Sequence, residues 1–424
     1  MTLLLFWTVG CMPTEQERAA HHAVQNYFSG NYQRASEELR GVAKQPDENF
    51  VLNNCRLGSA ALAGYDLPEA EDAFLRAYEV INSVGVNDGG RSLGAALVNE
   101  KIKIWKGEPF ERAMANFYLG LIYYMRQDYN NARGAFENAL FKLRDYADKK
   151  DVKNDYSEQE SNFVIGLVML GKTWQKLGRD DLAHANFERA RQLRPDLTAL
   201  FDEEKNATSN LLLVVEYGFG PRKVRDADGS VVGFAPTPDQ VGLIPPPQVT
   251  VDDRPVDVSG LDHPPIDLLA MAQDRHWQDI DTIRAIKSVT GTGLLIGGGA
   301  VAANGSYHHN DDQVLAGLAM MGAGALLKAS SQADVRQWEM LPRTVYLLPL
   351  RVPPGTHDLT VSFPHSYGMQ QTWKGITVPP TGEATYYIRM LRYASGVHTW
   401  PPVPGPAPAP LDTASAPPPV SSAR

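Results

Sequence analysis

Cysteine is scarce in this chain of 424 residues, which contains only Cys11 and Cys55. Two thiols cannot build a disulfide framework, and they cannot supply the three or four thiolates of a structural zinc site. Positive charge is also in deficit, because 40 Lys and Arg residues against 49 Asp and Glu residues give a net charge of −9. A nucleic-acid binder needs a basic face that releases counterions, so this balance argues against a nucleic-acid partner.

The N-terminal apolar run is too short to cross a membrane, which takes roughly 20 residues. It extends from Leu3 to Val9 and ends at Gly10-Cys11. This pattern is typical of a lipoprotein signal peptide over residues 1–10, with Cys11 as the acylated N-terminus after cleavage. The sequence therefore predicts a palmitate-type lipid anchor that holds the protein in the outer membrane, facing the periplasm. The alternative is an apolar N-terminus with a free thiol at Cys11.

A repeated spacing runs through the first 200 residues. A small residue is followed after twelve positions by Ala, after four more by a bulky apolar residue, and after three more by a small or apolar one. The clearest copies begin at Gly58, Gly120 and Gly171, and a degenerate copy begins at Ala23. Small residues allow two helices to cross closely, and we expect the bulky residue to fill the gap to the next repeat. The spacing predicts a tetratricopeptide (TPR)-like α-solenoid over residues 11–205.

The first helix of each repeat lines the concave face of such an array, so its residues indicate the ligand. These residues are apolar and aromatic, namely Tyr27, Phe28, Met114, Phe117, Leu121, Tyr124 and Met125. They predict a groove that binds an apolar segment of an envelope protein or peptide. The alternative is that the chain's own C-terminal half fills this groove, because so much exposed apolar area is unusual in a monomer.

The second half of the chain predicts a mixed α/β domain over residues 206–394. Residues 211–215 form an apolar run typical of a buried strand, and residues 343–392 alternate as in a small antiparallel β module. Residues 395–424 are rich in Pro and Ala and predict a disordered tail. The fold class expected for the whole chain is therefore α+β, with several domains.

Two Gly- and Ala-rich apolar segments at residues 289–327 predict a helical hairpin. Small residues four apart, such as Gly293 and Gly297, let helices approach closely, as they do in membrane-helix pairs. One interpretation is a membrane-active or oligomerising assembly in which the chain forms a homo-oligomer, and the other is a hairpin packed against the protein body. Residues 308–312 hold two histidines and two aspartates, but adjacent histidines point apart and no second ligand cluster accompanies them, so we expect no bound metal.

A short run before the β module holds Asp334, Arg336 and Trp338. An arginine can pair with a carboxylate and stack on an indole, which predicts a structural motif that locks a helix end onto the sheet. A binding site for a polar ligand is the alternative interpretation of these three residues.

Three stretches resemble, in the same order, those of a known group of proteins: residues 106–112, residues 211–223 with their Gly-Pro-Arg-Lys end, and residues 333–342. On these motifs the chain resembles an uncharacterised family of bacterial tetratricopeptide envelope lipoproteins, from about Cys11 to Arg392. The resemblance implies an envelope lipoprotein without a known reaction, and it supplies no catalytic residues.

The favoured interpretation is a non-enzymatic scaffold for protein partners in the bacterial envelope, with a membrane contact through the lipid on Cys11. The sequence contains no Gly-rich phosphate loop, nucleophile elbow or zinc-ligand pair, so we predict neither a catalytic residue nor a cofactor. The membrane-active assembly is the first alternative, and an enzyme whose site residues are scattered along the sequence is the second.

Overall fold

The computed structural model describes residues 14–82, 104–143, 145–146, 158–159, 162–225, 232–236, 244–258, 260, 263–273, 335–363, 369–392 and 396–399. Several predicted features lie outside these residues: Cys11, the Gly-rich segments at 289–327 with residues 308–312, Asp334, and residues 400–424 of the predicted tail.

Consecutive helices of the first half pack in pairs. The pairs are α1 (Glu15–Phe28) with α2 (Tyr32–Val42), α3 (Phe50–Ala63) with α4 (Leu67–Asn82), α5 (Pro109–Met125) with α6 (Tyr129–Phe141), and α7 (Val164–Lys176) with α8 (Asp180–Leu193). Each pair coincides with one copy of the repeated spacing, which confirms a tetratricopeptide-like helical array. Between α6 and α7, the short strands β1 (Asp145–Tyr146) and β2 (Glu158–Gln159) pair antiparallel.

The glycine of each clear repeat makes room for an aromatic ring of the same repeat. A Cβ placed on Gly58 would lie 2.7 Å from the ring of Phe74. The same close contact joins Gly120 to Phe136 and Gly171 to Phe187. The bulky residue that we expected to fill the gap to the next repeat therefore also packs on the glycine of its own repeat, which fixes how closely the two helices approach.

Gly120→Ala tests this close approach. Alanine normally stabilises a helix by about 1 kcal/mol relative to glycine, but here its methyl group would meet the buried Phe136 ring. We expect a net loss of about 1–3 kcal/mol in the free energy of unfolding, measured by urea denaturation. Gly134→Ala is the matched control, because nothing lies within 4 Å of a Cβ placed there, and it should gain up to about 1 kcal/mol. Effects of the same sign would contradict the close packing.

After α8, the chain turns at Pro195, which cannot continue the helical hydrogen bonds. A 3₁₀ helix (Pro195–Phe201) and the short helix α9 (Glu203–Thr208) follow and lead into the first long strand. A further short helix, α10 (Leu268–Gln273), lies before the second group of strands. It is tied to that group by Arg343, whose guanidinium contacts both carboxylate oxygens of Asp267 at 2.6 and 2.7 Å.

A three-stranded sheet packs directly on the helical array. It consists of β3 (Leu211–Tyr217) between β8 (Thr344–Leu350) and β11 (Ala384–Met390). Every residue of these strands is buried. On one face Glu216 contacts Tyr118 of α5, and on the other the rings of Tyr217 and Phe363 lie 4.4 Å apart. Because both faces are covered, β3 is a continuous apolar run rather than an alternating one.

A five-stranded sheet covers the outer face of the three-stranded one. Its order is β12 (Gly396–Thr399), β10 (Met369–Val378), β9 (Gly355–Phe363), β6 (Gln248–Val251) and β7 (Arg254–Pro255). A separate hairpin joins β4 (Arg222–Arg225) to β5 (Val232–Ala235).

The expectation of a purely antiparallel β module at residues 343–392 is wrong in one pairing. Strand β11 runs parallel to β3, because β3 arrives from a distant part of the chain and inserts between β8 and β11. Just beyond that module, β12 runs parallel to β10. These residues, Gly396–Thr399, belong to the segment predicted as a disordered tail, so a strand extends four residues into it.

Candidate functional site

The chain itself covers the concave face where we expected an open partner groove. Six of the predicted groove residues are buried, namely Tyr27, Met114, Phe117, Leu121, Tyr124 and Met125. Phe28 is half-buried, with its ring 4.9 Å from that of Phe219 in the C-terminal half. This corrects the expectation of an open apolar groove at these positions, because neighbouring helices and the three-stranded sheet already occupy the space that a partner would need.

One buried polar cluster joins the array to the sheet at Glu216. The hydroxyl groups of Tyr118 and Tyr387 donate to its two carboxylate oxygens, at 2.5 and 2.6 Å. The Arg389 guanidinium lies 3.6 Å from the same carboxylate and donates to the Tyr27 hydroxyl at 3.1 Å. Burial raises the pKa of Glu216, whereas Arg389 and the two tyrosine hydroxyls act in the opposite direction. The cluster holds α1, α5 and two strands in one arrangement.

A second buried cluster surrounds Glu383, at the start of β11. The Lys172 ammonium lies 2.9 Å from one carboxylate oxygen, and the Tyr124 hydroxyl donates to the other at 2.7 Å. Ser209 also donates to Glu383, and Lys176 approaches it to 3.7 Å. Burial acts to raise the pKa of Glu383, but the two lysines and the hydroxyl donors together lower it. Glu383 therefore stays ionised and ties α5 and α7 to the sheet.

Lys172 and Ser209 also bring an amine within 3.0 Å of a hydroxyl, the pair that Ser–Lys hydrolases use. Catalysis would need a neutral amine that accepts the hydroxyl proton, and a hydroxyl that a substrate can reach. Here Lys172 is fully buried beside the Glu383 carboxylate, which favours the charged ammonium. The Ser209 hydroxyl donates to that carboxylate rather than to the amine. This geometry is that of a structural ion pair.

Residues 335–342, called the crossing segment below, run across the concave face. Trp338 is its buried centre, with ring centroids 5.9 Å from Phe74 and 5.6 Å from Tyr118. The indole N–H donates to Ser59 Oγ at 3.1 Å, and the main-chain N–H donates to Glu111 Oε1 at 2.7 Å. Both polar groups of this residue are therefore satisfied by the array.

The rest of the crossing segment is held in the same way. Arg336 donates to the carbonyl oxygen of Glu48 at 2.8 Å, and Arg56 contacts both carboxylate oxygens of Glu339 at 2.6 and 3.1 Å. The Trp105 indole N–H donates to the Arg336 carbonyl oxygen at 3.0 Å. We expected Arg336 and Trp338 to lock a helix end onto the sheet. They contact the helical array instead, because the crossing segment lies on the array before it enters β8.

Glu111 is the buried carboxylate of α5 that holds Trp338, and it also accepts the N–H of Glu108 at 2.7 Å. Burial raises its pKa to about 7, although Lys223 and the two N–H donors act to lower it. A carboxyl group with a raised pKa keeps its proton in the folded state after the unfolded chain has released it. The free energy of unfolding therefore falls as the pH rises from about 4.5 to about 7.

Glu111→Gln removes this titration. Between about pH 5 and about pH 8, we expect the variant to gain about 2–3 kcal/mol in free energy of unfolding relative to the unmodified chain. Urea denaturation across this pH range measures the difference. Glu79→Gln, which changes an exposed carboxylate on α4, should show no comparable trend. A difference that is constant with pH for Glu111→Gln would contradict the raised pKa.

An open groove remains at the N-terminal end of the concave face, between α1, α3 and the crossing segment. This groove, called the α1 groove, has a volume of about 740 Å³. Its apolar lining comes from Ala20, Val42 and Leu52, all buried. Val335 is 38% exposed at its wall, and the exposed Arg222 stands at its edge. The α1 groove is where the concave face is accessible to a partner.

Sequence analysis missed the buried charges that join the two halves, although they left a signal. Glu216 ends the apolar run of β3, Arg389 interrupts an apolar strand, and Lys172 follows an apolar stretch of α7. An isolated charge in a segment that must be buried indicates a buried partner of opposite sign. The partners come from distant parts of the chain, so the sequence alone could not pair them.

Two general features bear on the kind of site this chain carries. In the part of the chain that the structure describes, no helix is long and apolar enough to cross a membrane. Within the same residues, no group of three or more His, Cys, Asp or Glu side chains is placed to hold a metal ion.

Comparisons with known proteins find similarity in structure only. No protein family matches the chain, and no curated protein matches it. Two solved structures of MamA are 14% and 16% identical to it, with TM-scores of 0.30 and 0.29. Each covers 44% of this chain, and 81% and 76% of the respective MamA chain. BtubC from P. vanneervenii is 15% identical, with a TM-score of 0.30 over 42% of this chain and 63% of BtubC.

Proposed function

We propose that this chain is a non-enzymatic protein-interaction scaffold, held at the bacterial outer membrane by a lipid on Cys11 and facing the periplasm. The observation that carries the proposal is the use of the concave face. Its buried charges are consumed by internal contacts such as Lys172 with Glu383, and an accessible recess remains only in the form of the α1 groove among the described parts of that face.

The α1 groove has the character of a surface that binds a peptide segment. Its apolar lining of Ala20, Val42 and Leu52 is bordered by charges of both signs, including Glu48 and Arg222. Such a combination of an apolar centre and a polar rim is the usual anatomy of a protein–protein contact. We infer that the partner is a segment of another envelope protein.

The position of Cys11 in the sequence supports the membrane part of the proposal. Thr14 caps α1, and only three residue steps separate it from Cys11. An extended chain of that length spans at most about 11 Å. Because Thr14 and Glu17 line the α1 groove, a lipid on Cys11 would keep the groove close to the membrane surface, where other anchored proteins are concentrated.

Metabolic labelling with a fatty-acid probe in a bacterial host tests the anchor. We expect the label on the unmodified chain and its loss in Cys11→Ala. A photo-crosslinking residue at Val335, in the α1 groove, should then give a discrete adduct in envelope fractions. The same residue at Glu79, which is exposed on α4, is the control and should give none. Absence of label, or equal adducts at the two positions, would overturn the proposal.

A further inference from the structure

The outer face of the array carries a second groove, where the third and fourth repeats meet. This groove, called the outer groove, has a volume of about 490 Å³. Its apolar lining comes from all three helices of the junction and includes Leu140 and Phe141 of α6, Leu167 and Leu170 of α7, and Leu182 and Leu193 of α8. It is separate from the concave face and from the α1 groove.

The earlier junctions of the array are bridged by side chains at the equivalent helices. Between α2 and α4, Arg40 contacts both carboxylate oxygens of Glu69 at 2.6 and 2.7 Å. Between α4 and α6, Asn138 donates to the Tyr78 hydroxyl at 3.1 Å. Between α6 and α8, the corresponding space is the open outer groove. The third junction therefore differs from the first two in leaving apolar side chains of α7 accessible.

Aromatic residues at the outer groove are exposed in a way that indicates recognition. Phe141 is 48% exposed at the end of α6. Trp174 of α7 is half-buried, with the guanidinium groups of Arg133 and Arg179 at 5.3 and 6.0 Å from its ring. Large aromatic side chains beside an apolar recess are the usual anchors of protein contacts.

Positive charge is concentrated at one end of the outer groove. Lys142 follows Phe141 and places its ammonium 5.9 Å from that ring. Burial lowers the pKa of Lys142, and Arg112 and Lys106 lower it further, because these three cations lie close together. Among the described residues, the buried Nε of Arg112 has no hydrogen-bond partner. This end of the groove is therefore complementary to negative charge.

We propose that the outer groove binds an amphipathic helix of a protein partner, with apolar anchors in the groove and acidic residues at its Lys142 end. The face of α8 from Leu182 to Leu193 lines the groove over eleven residue steps, which corresponds to about 16 Å or three helical turns. Asn138 and Asn186 border this length with polar groups that suit a peptide. The inference rests on the proposed scaffold function, since it names a partner class for it.

Two synthetic helical peptides of about 16 residues test this inference. They share the same Leu and Phe positions, and their polar positions are Glu in one and Lys in the other. Fluorescence anisotropy with the full chain should show binding of the Glu peptide and not of the Lys peptide. Phe141→Ser should weaken binding about tenfold, and Lys142→Glu should weaken it several-fold while improving binding of the Lys peptide. Lys44→Glu reverses an exposed charge on the first repeat and is the control.

Phe141 and Lys142 are partly exposed, so both variants should fold, and an unchanged melting temperature verifies this. Equal binding of the two peptides would overturn the inference, as would binding that Phe141→Ser and Lys142→Glu leave unchanged. Binding of oleate that Phe141→Ser abolishes, with neither peptide bound, would overturn it in favour of a lipid site. None of these outcomes depends on acylation of Cys11 or on adducts at Val335, so a failure here is distinguishable from a failure of the proposed function.

Discussion

Trp338→Ala lowers the free energy of unfolding by about 3–5 kcal/mol, the range for truncating a buried tryptophan. The indole is buried between Phe74 and Tyr118, and its N–H donates to Ser59. Its loss leaves a cavity where the crossing segment meets three helices, and it leaves the Ser59 hydroxyl without this donor. Urea denaturation monitored by circular dichroism measures the change.

The matched control lies three residues away in the same segment. Val335 is 38% exposed, so Val335→Ala should change the free energy of unfolding by no more than about 0.5 kcal/mol. If Trp338→Ala were as mild as this control, the crossing segment would be a loose attachment and the buried site described for Trp338 would be wrong.

Glu383→Leu is expected to cost about 3–5 kcal/mol, because it leaves the fully buried Lys172 ammonium without its counter-charge. Lys172→Met should cost less, because Lys176 lies 3.7 Å from Glu383 and still compensates that carboxylate. The asymmetry follows from the geometry of the cluster, in which two cations serve one anion. Urea denaturation of the two single variants measures it.

The double variant Lys172→Met with Glu383→Leu completes the cycle. Replacing both members of a buried ion pair with apolar residues of similar volume is often neutral or stabilising. We therefore expect the double variant to be more stable than Glu383→Leu alone. A double variant whose loss equals the sum of the two single losses would show that the two residues act independently, which would contradict the ion pair.

The sequence predicted the helical array well because its signal is local. Gly58 and Ala70 of one copy recur at fixed spacing in the others, and each copy forms one helix pair. The individual strands were also predictable from apolar runs and turn residues, as Leu211–Tyr217 shows. These elements depend on contacts within one repeat or one strand.

The pairing of distant elements was not predictable, because no local pattern encodes it. Strand β3 lies between β8 and β11, more than 120 residues later in the chain. The apolar character of Phe117 and Tyr124 was read correctly, but it did not reveal whether a partner or the same chain covers them. The deciding contacts, such as Tyr118 with Glu216 and Tyr124 with Glu383, join residues that are far apart in the sequence.

Hydroxyl-radical footprinting of the intact chain tests most directly whether the C-terminal half fills the concave face. Tyr118 and Tyr124 are each 2% exposed beneath the sheet, whereas Phe141 is 48% exposed on the outer face. We predict rapid modification of Phe141 and modification of the two tyrosines that is slower by about tenfold or more, in line with their burial. Modification of Tyr118 and Tyr124 at a rate comparable to that of Phe141 would show that the concave face is open, which would contradict the account.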